Sequence, residues 1–430
     1  MSQLFNPKRR TKKNLKTPKE LIWELQEKNF KTKLQYLILY KLLWFFLIFL
    51  RILLFPLVDF KVGILYSNKI GRFLGNTEFY LRAKSIKQDK KTFHILISGK
   101  AINNQILKMI SRKTILIKND LIFNIFSHCK KLTIDSDIWV DLNITGWLRD
   151  EWIDGKPQLN FSNEEEEKGE KILKELGINK DEKFVCMFAK DSLYSDDPTN
   201  PPKKDSFWSN KDFRNCDIKN YLLAAKYLTD KNIYVIRMGL HNPLEKLETN
   251  NNKIIDYTGV FRSKISDPDF ADVYLPAKCK FFIGCTSGIY QFASIFNTPV
   301  ASTNMIPYGE CGRNFHDIVI LKKCFDKKKN KILPISNCIN LGIKGDWLTE
   351  NQILDLENKD IYFLENTAQE ILDLTMEMNE RVDGKWVESN DQVIIQRKFM
   401  EITQIRSSGG KKFPGRIGYK FLKDNSILLN

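Results

Sequence analysis

Gly284-Cys285-Thr286-Ser287-Gly288 is a turn of small residues carrying two adjacent hydroxyls. It sits between an apolar run at 281–283 and apolar residues at 289, 292, 293 and 296. The run reads as a buried parallel strand and the later spacing as a helix. A turn that opens a helix offers an anion unpaired N–H groups and the positive end of the helix dipole. Glycines let a phosphate approach closely, and the Thr286 and Ser287 hydroxyls can donate to it. The same residues also suit a plain helix cap. What other strands bring to the same edge decides between the two.

Strand patterns at 184–188, 233–237 and 254–257 run out into Lys190-Asp191, Arg237-Met238-Gly239 and Tyr257-Thr258. In a parallel sheet those ends line one edge, where open α/β sheets bind ligands. Lys190, Arg237 and the hydroxyl turn together make a diphosphate cradle. Asp191 is either a functional carboxylate or a partner of Lys190. Asp272, on a helix at 269–277, either meets a ribose or lies on the helix surface. Asp217 caps a helix expected over 218–229 and follows Phe213-Arg214-Asn215-Cys216. Upstream, strands at 60–66, 93–97 and 114–117 alternate with helices. A polar, glycine-bearing loop at 67–78 leaves the first of them, carrying Gly71, Arg72, Asn76 and Glu78. These are ligand-side residues or ordinary loop polarity.

The elements that must hold these residues are strand–helix repeats, so the fold class is α/β with parallel sheets covered on both faces. At 430 residues the chain has room for two domains plus extensions. The charged stretch 162–170 marks a boundary, with one Rossmann-like domain over 60–165 and another over 170–380. A capping pair at Thr367 and Glu370 opens a helix reaching about 379, residues 388–406 form one more, and 381–430 packs back on the fold. The stretch 321–331 reads as a basic surface excursion, 197–204 as a proline-rich loop and 407–412 as a mobile loop.

Net charge is +16, and residues 1–35 carry ten Lys and Arg against three Glu. Such an arm suits an anionic surface. Residues 36–58 are apolar enough for a membrane. Lys41 and Arg51, expected on one side of the helix, argue against a simple span. The helix is expected to lie in the cytoplasmic leaflet as a peripheral or monotopic anchor, with burial against the next domain and a true span as alternatives. No aromatic-interleaved basic motif or helix-turn-helix pattern points to nucleic acid. Eight cysteines without CxxC spacing read as reduced buried thiols of a cytosolic protein. Asp135-Ser136-Asp137 and Asp267-Pro268-Asp269 match an Asp-x-Asp string but follow no strand at the sheet edge, so no metal ligand is assigned.

Taken together, several segments resemble a bacterial glycosyltransferase family of the two-Rossmann GT-B architecture associated with surface-polysaccharide synthesis. They are 69–72 with 75–78, Phe213-Arg214-Asn215-Cys216-Asp217-Ile218 with Tyr221, Arg237-Met238-Gly239, Asp272 with 278–288, and Arg416-Ile417-Gly418 with Phe421-Leu422. A more distant likeness is to fucosyltransferase-type enzymes. The resemblance covers about 60–430. It implies two domains facing a cleft, a nucleotide-sugar donor on the second and a glycan or lipid-linked acceptor on the first, with no obligatory metal or other cofactor. It implies donor contacts from Arg214, Asn215, Asp217, Gly239, Tyr257, Asp272, Thr286, Ser287 and Gly288, and an acceptor-side loop with Gly71, Arg72 and Asn76. Lys190 and Arg237 would stabilise the leaving diphosphate, and Asp191 or Glu78 would serve as acceptor base. Two departures stand out. A His-x-Arg-Asp-like element is replaced by Phe188-Ala189-Lys190-Asp191, and a histidine of the first loop by Arg72. A catalytically inactive, membrane-associated nucleotide- or glycan-binding protein of the same fold is the competing expectation.

Overall fold

A computed structural model describes the chain except residues 1–29, 55–58, 88–91, 130–136, 143–148, 192–212, 240–246, 248, 310–313, 345–347, 408–409 and 412–413, and the side chains of 30–33 and 128–129. Most of the basic arm, the proline-rich stretch 197–204 and the Asp135-Ser136 pair lie outside the described residues. Two compact units divide the chain, Met1–Ile144 and Thr145–Asn430.

In the N-terminal unit, strands β1 (Asp59–Ile64), β2 (Thr92–Ser98), β3 (Ile115–Lys118) and β4 (Trp139–Val140) form a sheet of order β3-β2-β1-β4. Every pairing is parallel, so each connection is a crossover, as the strand–helix alternation demands. The stretch expected as a loop at 67–78 is already helical from Ile70, within the helix Ile70–Lys87. Ile70, Phe73, Leu74 and Thr77 fall at 3.6-residue spacing and are all buried, and that face outweighs the polar residues between them.

The helix Phe30–Leu54 lays one stripe on this unit. Tyr40 is 1% exposed, meets Phe126 edge-on at 5.5 Å and stacks near Trp44, while Phe126 stacks on Trp139. Arg51 Nε donates to Asp59 Oδ1 at 2.9 Å. Arg51 is therefore turned toward the unit and neutralised, while Lys41 is exposed. Ten residues apart on one continuous helix, the two cations keep the expected offset of about 80°, and they differ in exposure because Arg51 meets a carboxylate on the adjoining strand.

In the C-terminal unit, the charged stretch at 162–170 is the start of a helix, Asn163–Glu175, opened by a Ser162/Glu165 capping box. It belongs to this unit: Phe161 packs on Phe270, Tyr274 and Phe296, and Lys278 Nζ reaches Glu166 at 2.6 Å. At Gly169 an added Cβ would sit 1.9 Å from the Tyr274 ring, so that ring lies directly on the helix backbone.

The strands that follow are β5 (Phe184–Phe188), β6 (Tyr234–Met238), β7 (Ile254–Tyr257), β8 (Phe282–Gly284), β9 (Val300–Met305), β10 (Ile318–Leu321), β11 (Lys323–Asp326), β12 (Lys331–Ile332), β13 (Ile361–Leu364) and β14 (Arg416–Ile417). Seven make a wholly parallel sheet of order β14-β10-β9-β8-β5-β6-β7. β12-β11-β13 make a small antiparallel sheet. The expected surface excursion at 321–331 is thus overturned. Leu321 and Cys324 are buried, and only the basic turn between β11 and β12 faces solvent. The continuous apolar run Ile318–Leu321 builds β10, buried along its whole length, and Lys323–Asp326 follows at once as β11. The helices Ala368–Val382, with its Thr367/Glu370 capping box, and Asn390–Thr403 follow. Ile417, Phe421 and Leu422 then pack into the core of this unit. Six described cysteines are free and buried.

Candidate functional site

β5 is the first strand of the large sheet. The chain adds β6 and β7 on one side of it, then crosses to add β8, β9, β10 and β14 on the other. The order therefore reverses between β5 and β8, and in open α/β sheets the crevice beyond the carboxyl ends at such a reversal is where ligands bind. β5 runs out into Lys190 and β8 into Cys285-Thr286-Ser287. The two ends touch, the Lys190 N–H donating to Cys285 Sγ at 3.2 Å.

Lys190 is 3% exposed. Its Nζ donates to Asn215 Oδ1 at 2.8 Å and to the Asp191 carbonyl at 3.1 Å, and its own carbonyl accepts from the Cys216 N–H at 2.9 Å. The segment Arg214-Asn215-Cys216-Asp217 is thereby laid across the end of β5. Asn215 also accepts, through its carbonyl, from Lys322 Nζ at 2.7 Å. Lys322 is 3% exposed, follows β10, and among the described residues has no carboxylate partner. Sequence reading missed it. It has the same signal as Lys190, a basic residue just past a buried strand, hidden by taking 321–331 as surface. The Cys216 thiol is held below its ordinary range, first by its hydrogen bond with Cys285, with Tyr221 and the Lys322 charge adding.

Arg237 is 4% exposed and stands in register with Met187 of β5, itself in register with Ile283 of β8. With strands about 4.8 Å apart, Arg237 lies about 10 Å across the sheet from the strand that carries the hydroxyl turn. Arg237 Nη1 pairs with Asp256 Oδ2 at 3.3 Å, and Thr258 Oγ1 donates to the other oxygen of Asp256 at 2.8 Å. Asp256, one residue before the expected strand end, is a second member that sequence reading missed.

The two turn hydroxyls are used differently. Thr286 Oγ1 accepts from the Ile306 N–H at 3.0 Å and lies 3.5 Å from Met305 Sδ, tying the end of β8 to the end of β9. It is not available to a phosphate. Ser287 Oγ is buried and has no hydrogen-bond partner among the described residues. The helix expected from Ile289 is only Gln291–Ser294. Three-residue hydrogen bonds tighten both its ends, and Asn297 at φ 60° stops it before Pro299. So short a helix brings little dipole to the turn, and Ser287 remains as the hydroxyl donor there.

Tyr257 and Asp272 are not part of this cluster. Tyr257 follows Asp256 in β7 and so faces the other side of the sheet from Arg237. Its hydroxyl donates to Asp272 Oδ1 at 3.1 Å, and Arg262 grips both Asp272 oxygens at 2.6–3.1 Å. Burial pushes the Asp272 carboxyl up to about 6, with Arg262 and Tyr257 opposing. Asp272 is neither a helix-surface carboxylate nor open to a ribose. Asp217 is exposed and caps the turn Ile218–Tyr221, accepting from the Lys219 N–H at 2.8 Å. Gly239, Gly288, Asp191 and Arg214 are half-buried beside the strand ends.

In the N-terminal unit Asn76 is buried and donates to the Leu142 carbonyl at 2.8 Å. Glu78 is 0% exposed and paired with Arg82 at 2.8 Å, so no acceptor hydroxyl reaches it. Gly71 is half-buried in the same helix, and Arg72 is exposed, its guanidinium 6.0 Å from the Tyr66 ring centre.

No protein-family model and no curated protein matches this chain. Among solved structures it is similar to the glycosyl transferase family 9 protein of Veillonella parvula DSM 2008, at 10% identity and a TM-score of 0.35, over 57% of this chain and 80% of that one. It is also similar to the E. coli ADP-heptose lps heptosyltransferase II, at 11% identity and a TM-score of 0.38, over 56% of this chain and 84% of that one. The third is the dodecameric iron-containing heptosyltransferase TibC in complex with ADP-D-beta-D-heptose, at 12% identity and a TM-score of 0.37, over 76% and 77%. None of the three is described as a fucosyltransferase. At these values no residue role is transferred from them.

Proposed function

We propose that the chain is a glycosyltransferase that moves a sugar from a nucleotide-sugar donor to a glycan or lipid-linked acceptor at the cytoplasmic face of a membrane, in surface-polysaccharide synthesis. The observation that carries this reading is that Lys190, Arg237, Ser287 and Lys322 all stand at or just past the carboxyl ends of β5, β6, β8 and β10, on both sides of the order reversal of the seven-stranded sheet. Three buried cations, and a hydroxyl without a partner among the described residues, on one edge suit a doubly charged leaving group.

In the proposed reaction the bond from the anomeric carbon to the diphosphate oxygen breaks, and one from that carbon to the acceptor oxygen forms. Negative charge builds on the departing nucleoside diphosphate, where Lys190, Arg237 and Lys322 stabilise it without an obligatory metal. Asp191 takes the acceptor proton if transfer inverts. The GT-B pairing of a donor domain with an acceptor domain belongs to this proposal, as does hexosyl or deoxyhexosyl transfer.

Calorimetric titration with ADP-, GDP-, UDP- and CMP-linked sugars, an ADP-linked heptose among them, tests the reading. One class should bind, and Lys190→Ala with Arg237→Ala should weaken it at least about a hundredfold, since each contact to a charged group is worth about 1.5–3 kcal/mol. No binding by any of them would remove the proposal. A binding protein without turnover is favoured by the sealed position of Glu78. Donor binding with neither transfer nor donor hydrolysis would select it.

A further inference from the structure

The helix Phe30–Leu54 has two faces, and only one is covered. Tyr36, Tyr40, Leu43, Trp44, Leu47 and Ile48 pack on the N-terminal unit. On the other side Leu42, Phe45, Phe46, Phe49, Ile52 and Leu53 are 60–70% exposed, and Leu34, Ile38 and Leu39 are 41–49% exposed. At 100° per residue these nine side chains fill one arc of about 140°. From Ile38 to Leu53 no charged or polar side chain falls inside the arc; Gln35, at its N-terminal end, is the exposed polar residue on it among the described residues. Lys41 lies at its border, and Arg51 lies on the opposite side, paired with Asp59. A monomer's largest exposed apolar patch is ordinarily roughly 300–600 Å², and nine large side chains open to this degree exceed an ordinary surface.

We propose that this face lies lengthwise in an anionic lipid bilayer, in the plane of the membrane, with the N-terminal unit seated on the helix's other face. The occupant follows from charge. Ten basic residues stand against three acidic ones in 1–35, directly before the apolar arc. An anionic headgroup layer attracts that arm, whereas a second copy would bring two such arms together. Lys41 at the border reaches the headgroups while its stem stays in the apolar layer.

Length alone would let 21 residues, Leu34–Leu54, cross a bilayer. A crossing helix would have to pull Tyr40 out of the core and strip Arg51 from Asp59 inside hydrocarbon. Lying flat breaks neither contact. The depth is one side-chain layer, into the boundary between headgroups and acyl chains. This proposal stands apart from the transferase reading, because it uses no residue of the sheet edge.

The test uses the full chain and sealed vesicles of phosphatidylglycerol mixed with phosphatidylcholine. Flotation should show binding that weakens with salt and is far weaker on phosphatidylcholine alone. Phe46→Asp and Phe49→Asp, both at exposed positions, should each weaken binding at least about tenfold with circular dichroism unchanged. A membrane-impermeant maleimide should label Ser2→Cys from outside as fully as after detergent. Binding that ignores both substitutions overturns the proposal. So does a Ser2→Cys label blocked until detergent is added, which means the helix crosses. A lipid-free dimer that Phe49→Asp dissociates while vesicle binding persists assigns the face to a second copy and overturns it as well.

Discussion

Thr286 spends its hydroxyl on the Ile306 N–H, while the Ser287 hydroxyl beside it has no partner among the described residues. Substitution should separate the two. Thr286→Ala should cost about 1–3 kcal/mol, the penalty for an unpaired buried N–H, and leave donor affinity close to wild type. Ser287→Ala should leave the melting temperature unchanged and weaken donor binding several-fold; thermal melts and titration on both variants check the pair. Lys322 gives a sharper contrast. Its ammonium is buried against the Asn215 carbonyl with no carboxylate among the described residues, so it costs stability until an anion arrives. Lys322→Met should lower affinity for a nucleoside diphosphate by about tenfold or more while holding or raising the melting temperature. A fall in both together would make Lys322 purely structural.

The Tyr257–Asp272–Arg262 group clamps the helix Pro268–Lys278 to β7 and the short helix Gly259–Lys264. The Asp272 carboxyl titrates at about 6 in the folded chain, above its ordinary value of 3.8. Between those two values the folded state holds more protons than the unfolded one, so this group lowers stability as pH rises through that window. Arg262→Met leaves Asp272 buried without its cation and pushes its carboxyl higher still. The variant should lose about 3 kcal/mol at pH 7. The deficit should shrink toward pH 5, where Asp272 is protonated; urea denaturation at both values checks the sign. At Gly169, the added Cβ of Gly169→Ala would drive the Tyr274 ring off the helix Asn163–Glu175 and cost about 1–3 kcal/mol.

For the molecule as a whole, the apolar helix is part of the N-terminal unit's core as well as an outward surface. Deleting residues 1–58 to release the protein from membranes would uncover Phe126, which Tyr40 now covers, and remove part of the cluster to which Trp139 belongs. The deletion should therefore aggregate, and charge placed at Phe46 or Phe49 is the cleaner probe. Tyr40→Ala should cost about 3 kcal/mol by opening a cavity in that core, measured by thermal melts. The net charge of +16 is carried in good part by the arm, so salt should act on membrane attraction more than on folding.

The sequence by itself determined what is encoded within a few residues: the strand–helix alternation, the capping pair Thr367/Glu370, the basic and hydroxyl residues just past strand ends, and the apolar length of the first helix. Those signals are local, because periodicity and caps act over one or two turns. Strand order was not legible, since β14 joins β10 across about a hundred residues of chain and β8 returns to the far side of β5. Nor was the fate of each polar group. Asn76 and Glu78 read as an open loop until the helix carrying them was seen to bury both. Lys322 meets Asn215 from 107 residues away, and Thr286 meets Ile306 from 20. Only tertiary structure decides which side chains such distant partners commit and which they leave facing a ligand, because each choice is a contest between hydrogen bonds that the chain makes with itself and those it keeps in reserve.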